Sequence, residues 1–254
     1  MTFRMWSLFH IIFILSPFIF AAIMYYVTNK YNYQKNRKIG IILSIICIVI
    51  LLLRNIEIFI KSGKINPEII PFQICHFANF VLFFAFLKDN KMMFATAFCF
   101  NLPCAILSII FANSLENYAT ILTFRGGAYI LGHMLIVGLT IWGLLVGFMK
   151  FTKKDIINGM VFILFLFVLS IPINNIFNKL MPDGSANYFY TMKPEGGTPL
   201  ELMYNLGKVI KVFGIEFNLV YIILFLILGS VVYFSIALLT KFLNNKFKFG
   251  NQVL

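Results

Sequence analysis

Apolar residues run along this chain in long unbroken stretches rather than in the alternation of a half-buried strand or the stripe of a surface helix. A membrane-spanning helix needs about 20 mostly apolar residues. Seven segments meet that length, roughly 6–27, 39–60, 69–87, 92–112, 126–149, 155–177 and 213–241. The runs are too long and too continuous for the strands of an outer-membrane barrel. The first run follows Arg4 and could imitate a secretion signal. It is longer than such a signal, and no small-residue cleavage pattern follows it, so it is read as a span. The pattern predicts an all-α polytopic bundle of about seven transmembrane helices, forming a single integral membrane domain over 1–254.

One connection is long. Residues 178–212 carry Pro182, Gly184, Pro194, Gly196, Gly197 and Pro199, which divide it into turns. Thr198, Pro199 and Glu201 predict a capping box opening a short helix over 199–206. Loops of this length with ordered composition are usually functional, so this one is expected to be an extracytoplasmic cover over a pocket. The bland alternative is a cap that only covers helix ends.

Composition agrees with the pattern. The 254 residues are 61% hydrophobic and 12% charged, and mean hydropathy is +0.91. A soluble core cannot absorb that excess, so soluble and disordered classes are excluded. Four cysteines set within apolar runs do not make a disulfide scaffold. The net charge of +12 is explained by basic loops at a membrane surface, and nucleic acid is not expected as a partner. Twelve Lys and Arg fall in loops on one side, among them Lys30, Lys35, Arg37, Lys38, Lys150, Lys153, Lys154, Lys241, Lys246 and Lys248. Eight fall on the other, four of them in the long loop. The positive-inside rule then places the N-terminus outside and the C-terminus inside. The expected location is a cell membrane, crossed several times.

Polar groups inside a span are expensive, and each marks a functional hypothesis. Arg54, Asn55 and Glu57 lie near one end of the second span, and Gln73, Cys75, His76 and Asn79 open the third. Arg125 precedes the fifth span, with His133 about 12 Å inside it. Asn174, Asn175 and Asn178 end the sixth, and Glu216 and Asn218 are placed at the opening of the seventh. Five spans thus bring polar groups to one depth, under the long loop. Each has a structural reading too. Arg54 and Glu57, three apart on one helix face, would neutralise each other. The asparagines would be interhelical glue. Glu216 would mark the water interface. Arg54 and Glu57 are nonetheless expected to face the bundle interior, because an unpaired charge in hydrocarbon is costly.

Cys75 and His133 are the candidates for chemistry. Cys47, Cys99 and Cys104 sit among apolar residues and read as small hydrophobes. Cys75 has polar neighbours in Gln73, His76 and Asn79, and a thiol beside an imidazole or a cation becomes a nucleophile. His76 points about 100° away around the helix, so it competes poorly as the base. His10 has no polar neighbours and reads as structural. The three histidines show no metal-ligand spacing, so neither metal nor other cofactor is expected.

The residues PFQIC at 71–75, FRGGAYILGH at 124–133 and NYFYTMKPEGGTPLELMYNLG at 187–207 resemble the YwaF-type integral membrane proteins of bacteria. Those are in turn similar to an animal transmembrane acyltransferase that remodels ether phospholipids. The resemblance covers roughly 40–240. It matches Cys75 and His133 to a family Cys and a family His two spans apart. It also matches Asn187-Tyr188, Lys193-Pro194 and Thr198-Pro199-Leu200. The chain departs after Leu206-Gly207, where the family has Pro and Trp and Lys208 stands here.

The resemblance implies a lipid acyltransferase or transacylase with a Cys75 thioester and a His133 base. Its donor would be a phospholipid, and its acceptor a lysophospholipid or a lipoprotein. Arg54, Glu57, Gln73, Asn79, Arg125, Asn174, Asn187 and Tyr188 are the candidate substrate-binding residues. The alternatives are a non-catalytic membrane protein that binds or transports a small solute or lipid, and a scaffold.

Overall fold

The computed structural model describes residues 2–117, 120–181 and 186–247. Among them, seven helical runs are long and apolar enough to cross a membrane. The expected turns at Pro182 and Gly184, and the basic residue Lys248, lie outside the described residues.

Local sequence signals set where these helices begin and end. Ser7 caps α1 (Leu8–Thr28), and Asn32 caps α2 (Tyr33–Ser62), which stops at Gly63 in the left-handed region with φ 66°. Each cap side chain accepts an otherwise unpaired N–H of the first turn. α3 (Ile74–Lys88) follows a short 3-10 turn at Pro67–Ile69. The fourth span is not one regular helix. α4 (Lys91–Thr96) passes through a π turn at Ala97–Asn101 into α5 (Leu102–Ile110). Pro103 has no N–H to offer the carbonyl four residues back, and the widened turn just before it absorbs that loss. Thr123 caps α6 (Phe124–Leu145), and a capping box of Thr152 and Asp155 opens α7 (Lys153–Leu180).

Packing follows from which faces are small or aromatic. α6 runs through the middle, against α1, α2, α3 and α5, and is the most buried of the seven. Phe86, Phe94, Trp142 and Phe148 cluster at one end, where the Trp142 indole N–H donates to Thr28 Oγ1 at 2.8 Å. Outward-facing positions such as Ile12, Ile23, Val49, Phe165, Ile227 and Leu238 are exposed and apolar, as a lipid-facing surface requires.

The connection between α7 and the last span departs from the expected layout in two ways. α8 covers Leu200–Asn205, but Thr198 does not cap it. Its hydroxyl donates instead to the Glu195 carbonyl at 2.7 Å, across a turn made at Gly197 with φ 74°. The predicted capping box is therefore absent. The last span, α9 (Leu219–Phe247), starts later than expected, because residues 209–218 form a hairpin. β1 (Val209–Val212) pairs antiparallel with β2 (Ile215–Asn218), and Phe213-Gly214, both at positive φ, make the turn. Glu216 and Asn218 thus lie in a strand. Asn218 Oδ1 accepts from the Tyr221 N–H and so caps α9 from the strand end.

Seven alternating spans put the ends of α2, α5 and α7 and the starts of α3, α6 and α9 at one end of the bundle, with the described residues 186–218 of the connection. Lys150, Lys153, Lys154 and Lys241 mark the opposite, lysine-rich end. The positive-inside expectation is tested in intact cells, in a background lacking the native cysteines. Lys193→Cys should react with an impermeant maleimide and Lys153→Cys should not. The reverse pattern would invert the orientation.

Candidate active site

Where α3 and α6 begin sets how deep their reactive side chains lie. Cys75 is the second residue of α3, and His133 is the tenth of α6. The two spans pack together, and the Cys75 thiol and the His133 imidazole lie within electrostatic reach of each other. His133 is 8% exposed. Its Nδ1 lies 2.7 Å from the carbonyl oxygen of Tyr129, one helical turn back. A carbonyl only accepts, so Nδ1 carries the proton and donates. In the neutral ring Nε2 is left with the lone pair. The Tyr129 ring lies against the imidazole, with centroids 4.2 Å apart, and its hydroxyl donates to the Ser108 carbonyl at 2.8 Å.

Two further groups on α5 complete the surroundings of the thiol. Ser108 Oγ is 3.7 Å from Cys75 Sγ, and Cys104, one turn earlier, lies within electrostatic reach of it. Asn79, one turn along from Cys75, is buried with its Oδ1 unpartnered. Asn101 is buried with both amide atoms unpartnered, and it is followed at three and seven residues by Cys104 and Ser108. Gln73 forms no capping bond to α3. His76 is not among the groups acting on Cys75. It sits instead near Arg54 and His133, with Nδ1 buried and unpartnered.

The charges at the mouth are arranged differently from the sequence expectation. Arg54 does not pair with Glu57. It pairs with Glu68, in the 3-10 turn before α3, and Glu57 pairs with Lys61 one helical turn on at 2.6 Å. Glu68 also takes Arg125 in three contacts of 2.6, 2.7 and 3.1 Å, so one carboxylate lies between two guanidinium groups. A carboxylate next to the bundle can satisfy both arginines, whereas Glu57 is turned along its own helix towards Lys61. Arg54 is 8% exposed, as expected of an inward-facing charge, and acts on both His76 and His133. Glu57 is only partly exposed and lies within reach of Arg125. The Arg54–Glu68–Arg125 group carries one net positive charge.

The asparagines of α7 hold the loop by two-way amide bonds to its backbone. Asn174 donates to the Tyr188 carbonyl at 3.0 Å and accepts from the Tyr188 N–H at 2.7 Å. Asn178 does the same for Ala186, and Asn175 for Glu216. Asn187 closes the loop on itself through Met192 and Lys193. Tyr188 is fully buried, and its hydroxyl donates to the Pro67 carbonyl at 2.8 Å, which ties the loop to the turn carrying Glu68.

This anchoring forces Phe189 and Tyr190 into the left-handed region, at φ 55° and 54°. Non-glycine residues there cost roughly 1–3 kcal/mol each unless held. Tyr221 holds this pair by donating to the Tyr190 carbonyl at 2.9 Å. The Tyr190 phenol bonds to the Glu195 carboxylate and lies within electrostatic reach of Cys75 and Tyr129. Burial and the Glu195 charge push its pKa well above the ordinary phenol range, so it remains a neutral donor.

An apolar groove runs between α7 and α9. It is lined by Met160, Phe167, Leu226 and Gly229, with Phe189 and Ile74 at its head. Ile74 carries the head of the groove to the first turn of α3, the turn that also holds Cys75.

Glu68, Ser108, Tyr129 and Tyr190 were not singled out in the sequence. Glu68 sits in a turn outside the apolar runs. Ser108 does have a signal, four residues after Cys104 on one helix face. The Gly126-Gly127 pair also acquires a reason. A Cβ on Gly126 would meet the Ile121 backbone at 2.7 Å, whereas Gly127 faces open space. Gly126→Ala is expected to destabilise by about 1–3 kcal/mol and Gly127→Ala to be neutral. Thermal unfolding in detergent checks this pair.

No curated protein and no solved structure shows significant similarity to the chain. A family profile matches residues 3–240, nearly the whole sequence and every span described above. The chain is a multi-pass membrane protein that belongs to the TMEM164 family.

Proposed function

We propose that the protein is a membrane lipid acyltransferase or transacylase in which Cys75 is the nucleophile and His133 the base. The observation that carries this reading is the meeting of the thiol and the imidazole from separate spans. The Nδ1 proton of His133 is committed to Tyr129, which leaves Nε2 to take a proton. Nothing in simple helix packing requires a cysteine and a histidine from separate spans to lie within electrostatic reach of each other.

In the proposed cycle His133 Nε2 accepts the thiol proton, and the thiolate attacks the ester carbonyl of a phospholipid. The tetrahedral intermediate collapses and the C–O bond breaks. The lysolipid alkoxide leaves with the proton from the imidazolium, and the acyl group remains on sulfur as a thioester. His133 then takes the proton of the acceptor, a lysophospholipid hydroxyl or a lipoprotein amine. That acceptor attacks the thioester, and the sulfur regains its proton from the imidazolium. The net positive Arg54–Glu68–Arg125 group suits the phosphate of the donor headgroup. The groove between α7 and α9 suits its acyl chain.

The test is transfer in proteoliposomes from a labelled phospholipid to a lysophospholipid or a lipopeptide amine. The wild type should form labelled product. His133→Ala should lower the rate by ~10²-fold or more without changing the thermal unfolding temperature. Cys99→Ser and Cys104→Ser should be close to silent.

The charged mouth taken alone favours a second reading, a non-catalytic lipid or solute binder. In that case His133→Ala would leave ligand binding and all measured function intact.

A further inference from the structure

The two spans that flank the apolar groove part again at the far, lysine-rich end of the bundle. There α7 and α9 leave a cavity of about 730 Å³. Lys150, Lys153 and Lys241 line it, all three exposed, together with the apolar side chains of Ile157, Phe234 and Leu238. No carboxylate lines it. Asp155, the nearest acid in sequence, is spent on the capping box, where it accepts from the Thr152 N–H at 2.9 Å and from its hydroxyl at 2.6 Å. Among the described residues none of the three lysines forms an ion pair. Further along the seam the Tyr233 hydroxyl donates to the Ile156 carbonyl at 2.9 Å and lies against Gly159. That pinch separates the cavity from the groove near Cys75.

We propose that this cavity binds one anionic glycerophospholipid from the leaflet at the lysine-rich end. Three cations without an acidic partner, set at the rim of an apolar cleft at a membrane surface, call for an anion that also carries hydrocarbon. The headgroup lies among Lys150, Lys153 and Lys241. The glycerol and upper chains lie on Ile157, Phe234 and Leu238. The lysine stems add apolar surface while their charges reach the phosphate. A zwitterionic lipid brings a quaternary amine that the three lysines repel, and free phosphate has nothing for the apolar wall to hold. The site lies at the opposite end of the spans from Cys75 and does not depend on the acyltransferase reading. Its occupant bridges α7 to α9, the two spans that hold the loop over the candidate active site.

The experiment uses the purified full-length protein in a non-ionic detergent. Native mass spectrometry and thermal unfolding are read with phosphatidylglycerol, with phosphatidylcholine, and with inorganic phosphate. Phosphatidylglycerol should bind one-to-one and raise the unfolding temperature, and the other two should do neither. The K150Q/K153Q/K241Q variant should unfold like the wild type without lipid and bind phosphatidylglycerol roughly 100-fold more weakly, as the loss of three surface cations predicts. A K30Q/K35Q/K38Q control, which removes as much charge from the same end, should stay within a few-fold of wild type. The proposal is overturned if the first variant keeps full affinity or if the control loses as much. It also fails if wild type binds no phosphatidylglycerol, or if phosphatidylcholine or phosphate gives the same stabilisation.

Discussion

Cys75→Ser is expected to remove lipid acyl transfer almost completely while leaving the fold intact. The hydroxyl is slightly smaller than the thiol and can still meet His133 and Ser108, so the packing of α3 against α5 and α6 should survive. The chemistry should not, because an alcohol is far less acidic than a thiol and a single imidazole activates it poorly. At most a slow oxygen ester should form. Transfer to a lysophospholipid should fall by at least ~10³-fold, if the general base also loses its role. The unfolding temperature should stay within a degree or two. Full activity in Cys75→Ser would end the thioester reading, and a large loss of stability would make Cys75 a packing residue.

Glu68→Ala is the second large effect, and it acts on stability. Glu68 neutralises Arg54 and Arg125 together. Arg54 is buried, so deletion of the carboxylate leaves a cation in a poorly hydrated site. Solvent reaches part of Glu68 and Arg125, which lowers the penalty. A loss of roughly 2–3 kcal/mol follows from charge-assisted bonds of this kind. The turn at Pro67–Ile69 also receives the Tyr188 hydroxyl, so loosening it should free the loop to proteolysis. Glu57→Gln, whose partner Lys61 is exposed, should have little effect. Thermal unfolding with limited proteolysis checks both variants. Equal stability of Glu68→Ala and wild type would show that the two arginines are satisfied elsewhere.

The seven spans were legible because hydrocarbon demands long apolar runs, and few other structures use them. The depth of Cys75 was less legible: the third apolar run was read from residue 69, whereas α3 begins only at Ile74, after a separate 3-10 turn at Pro67–Ile69. Partners across the fold were not legible. Arg54 and Glu57 share a helix face, which suggested a local pair. The carboxylate that Arg54 takes comes from Glu68, fourteen residues on and beyond a turn. The hairpin at 209–218 was divided in the sequence reading, its first strand left in the long loop and its turn and second strand taken into the last span, because Phe213, Ile215 and Phe217 extend the apolar run. The alternation of Val209, Lys211, Glu216 and Asn218 around Phe213-Gly214 was the available signal. Tyr190 was hidden differently. Its place near the thiol depends on two consecutive left-handed residues, which phenylalanine and tyrosine do not announce.

The most direct measurement is intact-protein mass spectrometry after incubation of the purified protein with a phospholipid of defined chains. The thioester mechanism predicts a mass increase of one acyl group, mapped by peptide analysis to Cys75. Hydroxylamine and the lysophospholipid acceptor should both remove it, and Cys75→Ser should not form it as a thioester. Active transfer with no acyl group on Cys75 at any time in the reaction, or a stable acyl group on a different residue, would contradict it.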